Sequence, residues 1–246
     1  MLDTLARYVP SFRPDGARVL DVGCGDAGVL IAFAERGAEA AGIEPNVSSL
    51  ERGTVRAEEH GVRIDLRIGN AESLPFAESS FDLVVLDNVL EHVADRDRTL
   101  AEIHRVLRPA GLLYLVTPKP YSLHSLWSDP HYSMAGLVLL PRKLQIFYFE
   151  RVRRGGIGSY GVGWIPTRKS AARMLTRHGF ASLVSPRELW INYLRTKITD
   201  PKNVSPGLKR RVAGWVANHR TLTEHPIARF IWDVATGANI FIARRL

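Results

Sequence analysis

Short apolar runs alternate with helix-period segments over the first 117 positions. Ala17–Val22, Ala38–Ile43, Phe81–Leu86 and Leu112–Val116 predict buried strands, and Arg63–Ile68 alternates polar and apolar residues as a half-exposed strand does. Between them the pattern predicts helices over about Gly28–Arg36, Asn46–His60 and Asp97–Leu107. In the last of these, Leu100, Ile103, Val106 and Leu107 share one face. Asn46 is the expected N-cap of the second helix, and Arg108-Pro109-Ala110-Gly111 the expected stop of the third. Five such units in succession predict an open parallel sheet covered by helices on both faces.

The rhythm breaks at Pro118. Residues 118–163 are rich in Pro, Gly, aromatics and Arg, and a second irregular, basic stretch covers about 195–235. Between them a helix capped at Thr167 or Ser170 runs to Arg177, followed by a strand at Ala181–Val184. A last strand covers Asn239–Ala243. The expected fold is therefore α/β: a Rossmann-like, mostly parallel, doubly wound sheet of seven strands. Insertions follow strand 5 and separate strands 6 and 7. One domain is expected over 1–246, with a core at 15–117 and the insertions 118–163 and 195–235 forming a substrate lid or an interface.

Composition narrows the setting. Cys24 is the only cysteine, which excludes an intramolecular disulfide and a Cys-based zinc site, and no metal-ligand set is read elsewhere. The first residues lack the basic-then-apolar pattern of a signal peptide, and no apolar run is long enough to span a bilayer. A cytoplasmic protein is expected. The net charge of +8 is unevenly spread: residues 1–117 hold 12 Lys/Arg against 19 Asp/Glu, whereas residues 118–246 hold 21 against 6. The basic half suits an anionic membrane surface, an anionic substrate or nucleic acid, or is simply a solvated basic surface.

The chemistry gathers at predicted strand ends. Gly23-x-Gly25-x-x-Gly28 follows the first strand with the spacing of a dinucleotide-binding turn, which brings backbone N–H groups and a helix N-terminus to a ligand. Asp21 stands just before it, where an anion repels a pyrophosphate and favours a cationic ligand. That disfavours a nicotinamide dehydrogenase. Glu44 ends the second strand, 19 residues after Gly25, and can accept two ribose hydroxyls. Asn70-Ala71-Glu72 follows the third strand, and Asp87-Asn88 the fourth.

These motifs, with Gly42-Ile43-Glu44-Pro45, Leu90-Glu91-His92-Val93 and Leu107 to Leu113, resemble the class I S-adenosylmethionine-dependent methyltransferases. The similarity is greatest to the branch of ubiquinone, menaquinone and small-molecule O-methyltransferases, and it covers roughly residues 15–117. It implies S-adenosyl-L-methionine as cofactor and S-adenosyl-L-homocysteine as product. It also implies cofactor roles for Asp21, Gly23, Cys24, Gly25, Glu44, Pro45, Asn70, Ala71, Glu72, Asp87 and Asn88. Asp21 and Asp87 would lie near the methionyl part, Glu44 on the ribose, and Asn70, Ala71 and Glu72 at the adenine.

Methyl transfer to oxygen calls for a base with a pKa near neutrality, and histidine is the usual choice. His131 and His124, in the first insertion, and His92, after the fourth strand, are the candidate bases. Asp129-Pro130-His131-Tyr132 has only a superficial likeness to the signature of amino-group methyltransferases acting on DNA, and it stands after the wrong strand. The expected acceptor is a small or lipid-linked molecule methylated on oxygen. An RNA-directed methyltransferase and a non-catalytic cofactor-binding scaffold stand as alternatives, with nucleic acid disfavoured because no binding module is recognisable. Apolar stretches at Met134–Leu140 and Leu144–Phe149, followed by Arg151-Val152-Arg153-Arg154, suit either a buried lid or dimer contact or a helix in a membrane interface. The expected partners follow: the acceptor, an anionic surface at the inner face of the membrane in the second case, and a monomer or homodimer.

Overall fold

In β1 (Arg18–Val22) and β4 (Phe81–Asp87) nearly every side chain is buried. Such strands cannot sit at an edge, and they pair with one another in parallel at the middle of the sheet. The structure, a computed structural model, describes residues 1–119, 140–152, 165–184, 188 and 238–246. Its other strands are β2 (Glu39–Glu44), β3 (Ile64–Ile68), β5 (Leu107–Pro118), β6 (Phe180–Ser182) and β7 (Ala238–Arg245). Seven strands form one sheet in the order β3-β2-β1-β4-β5-β7-β6, with β6 antiparallel to β7. The described helices are α1 (Leu2–Tyr8), α2 (Gly28–Ala34), α3 (Val47–Glu59), α4 (Arg96–Val106), α5 (Arg142–Val152) and α6 (Arg168–Arg177). The chain divides into two compact units, Met1–Thr117 with Val162–Val184 and Ile240–Leu246, and Pro118–Gly161 with Ser185–Asn239. All that follows about the sheet, the clefts and α1 to α4 concerns the first unit; α5 lies in the second.

The winding reverses between β1 and β4. Right-handed crossovers carry the chain from β1 outward to β3, then from β4 outward to β5, on opposite faces. The carboxyl ends of β1 and β4 therefore flank a crevice, where ligands of open α/β sheets bind. One apolar cluster lies beneath it, with Leu20, Val84, Leu86, Leu100, Ile103 and Phe241 among its buried members.

Two helix starts are capped as their sequences require. Asn46 accepts the Ser49 N–H at 3.0 Å, and Asp95 accepts the Arg98 N–H at 2.9 Å. The Asp95 cap starts α4 at Arg96, one residue before the expected Asp97. Thr167, not Ser170, caps α6.

The largest departure from the sequence pattern is in β5. Arg108-Pro109-Ala110-Gly111 ends α4 as expected, yet the strand already begins at Leu107. Leu107 pairs with Phe81 and Leu112 with Leu83, so the intervening residues bulge, with Ala110 in the left-handed region at φ +62°. Arg108 reaches across the bulge to Asp82 at 2.6 Å. The helix α1 has no counterpart in the sequence reading. It is two turns long with Leu5 as its one buried residue, and no side chain caps it. Thr4 reaches Tyr114 of β5, whose hydroxyl is pushed up to about 12, chiefly by burial. Tertiary contact, rather than helix propensity, holds such a short segment.

Candidate cofactor site

The crevice is built from the strand ends upward. After Val22 the backbone turns at Gly23, whose φ of +76° is one that only glycine adopts readily. A Cβ there would stand 2.4 Å from Cγ2 of Val89. The turn is stitched to β2, because the Gly23 and Cys24 N–H groups both donate to the Ile43 carbonyl, at 2.7 and 3.2 Å.

Glu44 locks the next step. Its Oε2 accepts the Gly25 N–H at 3.1 Å and its Oε1 the Asn46 N–H at 3.0 Å. The carboxylate is thus not a helix cap, a task Asn46 performs with its own side chain. It is held at the mouth of the glycine turn with lone pairs left for a diol. From α3, Arg56 meets Asp26 of the turn at 2.5 Å.

Asp21 lies behind the turn and is almost wholly buried. Burial, then the neighbouring carboxylates of Asp87 and Glu44, push it up from 3.8 to about 8. Asp87 is raised as well, mainly by burial. Its Oδ1 accepts from Asn88 Nδ2 at 2.8 Å, and Asn88 itself turns in the left-handed region at φ +55°. Three carboxylates sharing a half-dry crevice are mutually unfavourable, and a bound cation relieves them. Cys24 has the opposite character to a nucleophile: burial, then Asp21 and Glu44, push its thiol up to about 12.

A cleft of about 590 Å³ opens beside the turn. Gly23, Pro45, Asn70, Ala71, Glu72 and His92 line it. Asp21, Cys24, Gly25, Glu44, Asp87 and Asn88 sit at the same strand ends without lining this cleft. Glu72 also braces the wall. Its Oε1 accepts the Ala94 N–H at 2.8 Å, and its carbonyl accepts Arg98 Nε at 2.9 Å. A second brace lies behind the loop. Arg105 donates to the carbonyls of Leu74 and Phe76 at 2.9 and 2.8 Å and clasps Glu102, which accepts the Leu74 N–H at 2.8 Å.

His92 is exposed on the cleft wall, while His124 and His131 lie outside the described residues. His104 packs edge-on against Phe180, away from these strand ends. The sequence pattern does not single out Glu91 as a site residue. It is fully buried, and burial pushes its carboxyl up to about 7, with Asp87 adding to the rise and Arg96 opposing it. A charged residue directly after Leu90 is its only local signal, and side-chain direction in a loop cannot be read from spacing. Among the described residues no group of three His, Cys, Asp or Glu is placed to hold a metal ion. Nor is any helix among them long and apolar enough to cross a membrane.

The reversed winding, the glycine turn and the buried carboxylates at its back give the crevice the arrangement expected from the resemblance to class I S-adenosylmethionine-dependent methyltransferases. Residues 20–115 match the family model described as a methyltransferase domain. A ubiquinone biosynthesis O-methyltransferase of Agrobacterium fabrum is 30% identical over 188 residues, covering 76% of this chain and 62% of that protein. One of the same name from Rhizobium rhizogenes is 35% identical over 116 residues, covering 47% of each. The chain thus spans less than two thirds of these curated relatives.

Among solved structures, an S-adenosylmethionine-dependent methyltransferase from Mesorhizobium loti superposes with a TM-score of 0.61 at 21% identity. It covers 99% of this chain and 96% of that one. The (4+2)-cyclase SpnF superposes at 0.56 with 22% identity, covering 99% and 80%. These likenesses establish the fold, and the cyclase shows that the fold alone does not select the reaction.

The residues fit the cofactor. Asp21 and Asp87 match a sulfonium and an ammonium, the pinned Glu44 matches a ribose diol, and the cleft wall at Ala71 is buried and small.

Proposed function

We propose that the protein transfers a methyl group from S-adenosyl-L-methionine to an oxygen of a small or lipid-linked acceptor. The observation that carries this reading is the Asp21–Asp87–Glu44 carboxylate group at the reversal point of the sheet, a trap for a cationic ligand that carries a diol. The oxygen acceptor is argued from the ubiquinone O-methyltransferases among the relatives. When bound, the cofactor supplies an electrophilic methyl group; the protein's own task is to hold it, align the acceptor and exclude water. The acceptor hydroxyl needs a base, and His92, His124 and His131 are the histidines assigned to that task.

A lipid-linked acceptor calls for contact with a membrane surface. In α5, Leu144 and Phe147 are 50% and 64% exposed, with Lys143 and Arg151 also exposed. Apolar side chains flanked by cations suit the interface of an anionic bilayer, which supports peripheral association at the inner face of the membrane of a cytoplasmic protein.

The test is transfer of labelled methyl from the cofactor into quinol precursors and extracted lipids, with calorimetric binding of the cofactor measured alongside. Label appearing in an alkali-stable O-methyl ether is the expected result. Tight cofactor binding with no label in any hydroxyl acceptor would overturn the O-methyltransferase reading.

A further inference from the structure

The sheet carries a second cleft at the end opposite the cofactor site. Asp82 stands near the start of β4 and Asp87 closes it, so the two lie about 16 Å apart along the strand. This cleft is about 230 Å³ in volume, roughly seven or eight water volumes. Val9 and Phe12 give it an apolar side, and Arg108 and Arg244 face it from β5 and β7.

The two arginines are in different states. Arg108 donates one Nη to Asp82 Oδ1 at 2.6 Å, and Asp82 Oδ2 accepts the Arg18 N–H at 2.8 Å. Both Asp82 oxygens are therefore engaged, while most of the Arg108 fork is left over. Arg244 has its Nε sealed from solvent, and no acceptor among the described residues meets it. That Nε is closed to a ligand as it is to water, so an oxyanion in the cleft meets the Nη edge of the guanidinium, whose donors match the two oxygens of a carboxylate or phosphate. With one carboxylate against two guanidinium groups, the cleft carries a net positive charge.

We infer that this cleft is a binding site for a small oxyanion, a phosphate or a carboxylate, held between Arg244 and the free edge of Arg108. The cleft is too small for a nucleotide. An anion there adds stability by mass action to the folded chain. The site stands independently of the methyltransferase reading.

The experiment is thermal melting of the full chain in phosphate, acetate or chloride at matched ionic strength. The expected result is a saturable rise in Tm with phosphate, with acetate, or with both, and none with chloride. A response to phosphate alone identifies a phosphate ligand, and a response to acetate a carboxylate. Arg244→Gln is expected to lose at least four fifths of the rise. Ser11→Trp, which blocks the rim and keeps every charge, is expected to lose it too. A single cooperative melting transition without added anion and an unchanged far-ultraviolet circular dichroism spectrum show that both variants are folded. Equal responses to all three salts, or a full response in folded Arg244→Gln or folded Ser11→Trp, would overturn the inference.

Discussion

Glu44 accepts the backbone N–H of Gly25 at 3.1 Å, joining the end of β2 to the turn after β1. The same carboxylate accepts the Asn46 N–H, so one side chain ties the glycine turn to the start of α3. Hydrogen bonds to a charged acceptor are worth about 1.5–3 kcal/mol each. Glu44→Ala is expected to weaken S-adenosylhomocysteine binding by about 100-fold, and Glu44→Gln, which keeps one oxygen, by about tenfold. Isothermal titration calorimetry measures both. Unchanged affinity in Glu44→Ala would show that the side chain does not meet the ligand.

Asp21 sets a pH dependence in two quantities. In the ligand-free protein it holds a proton up to about pH 8. A cation favours the carboxylate, so binding expels that proton, and affinity is expected to rise with pH and level off above about 8. Stability moves the other way. The folded state keeps a proton that the unfolded chain releases near 3.8, so the ligand-free protein loses stability as pH climbs from about 4 to about 8. Glu91, raised to about 7, and Asp87 add to the same trend. Asp21→Asn is expected to flatten the affinity profile and to make the ligand-free protein melt higher at pH 8 than the wild type. Melting curves and titrations between pH 5 and 9 check both.

Gly23→Ala places a methyl group 2.4 Å from Val89 Cγ2 on a backbone at φ +76°. The conformation alone costs about 1–2 kcal/mol, and the overlap adds to it. A lowered denaturation midpoint is expected. Val89→Ala in the same chain is expected to restore only the overlap component, which a double-mutant comparison separates from the backbone component.

Arg105 holds the loop that walls the cleft. Arg105→Ala leaves the carbonyls of Leu74 and Phe76 and the Glu102 carboxylate without their partner. Loss of about 2–4 kcal/mol is expected, with faster amide exchange concentrated in residues 70–76. Uniform exchange across the chain would mean that the brace is not local.

The α5 surface predicts lipid dependence. Phe147→Glu with Leu144→Glu is expected to abolish co-flotation with phosphatidylglycerol vesicles at low salt and to leave cofactor binding intact. Flotation of the double variant equal to the wild type would exclude this helix from the interface.

Much of this site is legible in the order of residues, for a physical reason. A buried parallel strand must be almost purely apolar, so Asp21 and Asp87 stand out against β1 and β4. A turn at φ +76° with a neighbour 2.4 Å from any Cβ strongly favours glycine, so Gly23 marks itself. Because strand ends collect ligands in such sheets, the positions of Glu44 and Asn70-Ala71-Glu72 also have meaning. Contacts between residues distant in the chain carry no such signal. Nothing local in α1 announces a helix, since its stability rests on Leu5 and on Thr4 meeting Tyr114. Nothing in Arg108-Pro109-Ala110-Gly111 distinguishes a loop from a bulge inside β5.

The sequence by itself determined the alternation of strands and helices from β1 to β5, the seven strands, the chemistry at the glycine turn and the acidic character of the crevice. Each of these follows from periodicity and from what a single residue's backbone or charge permits. Only the tertiary structure decided that Glu44 is pinned between two backbone N–H groups, that Glu72 and Arg105 brace the cleft wall, and that burial beside Asp87 and Glu44 raises Asp21. Those outcomes depend on burial and on distances between residues far apart in the chain, which no local pattern encodes.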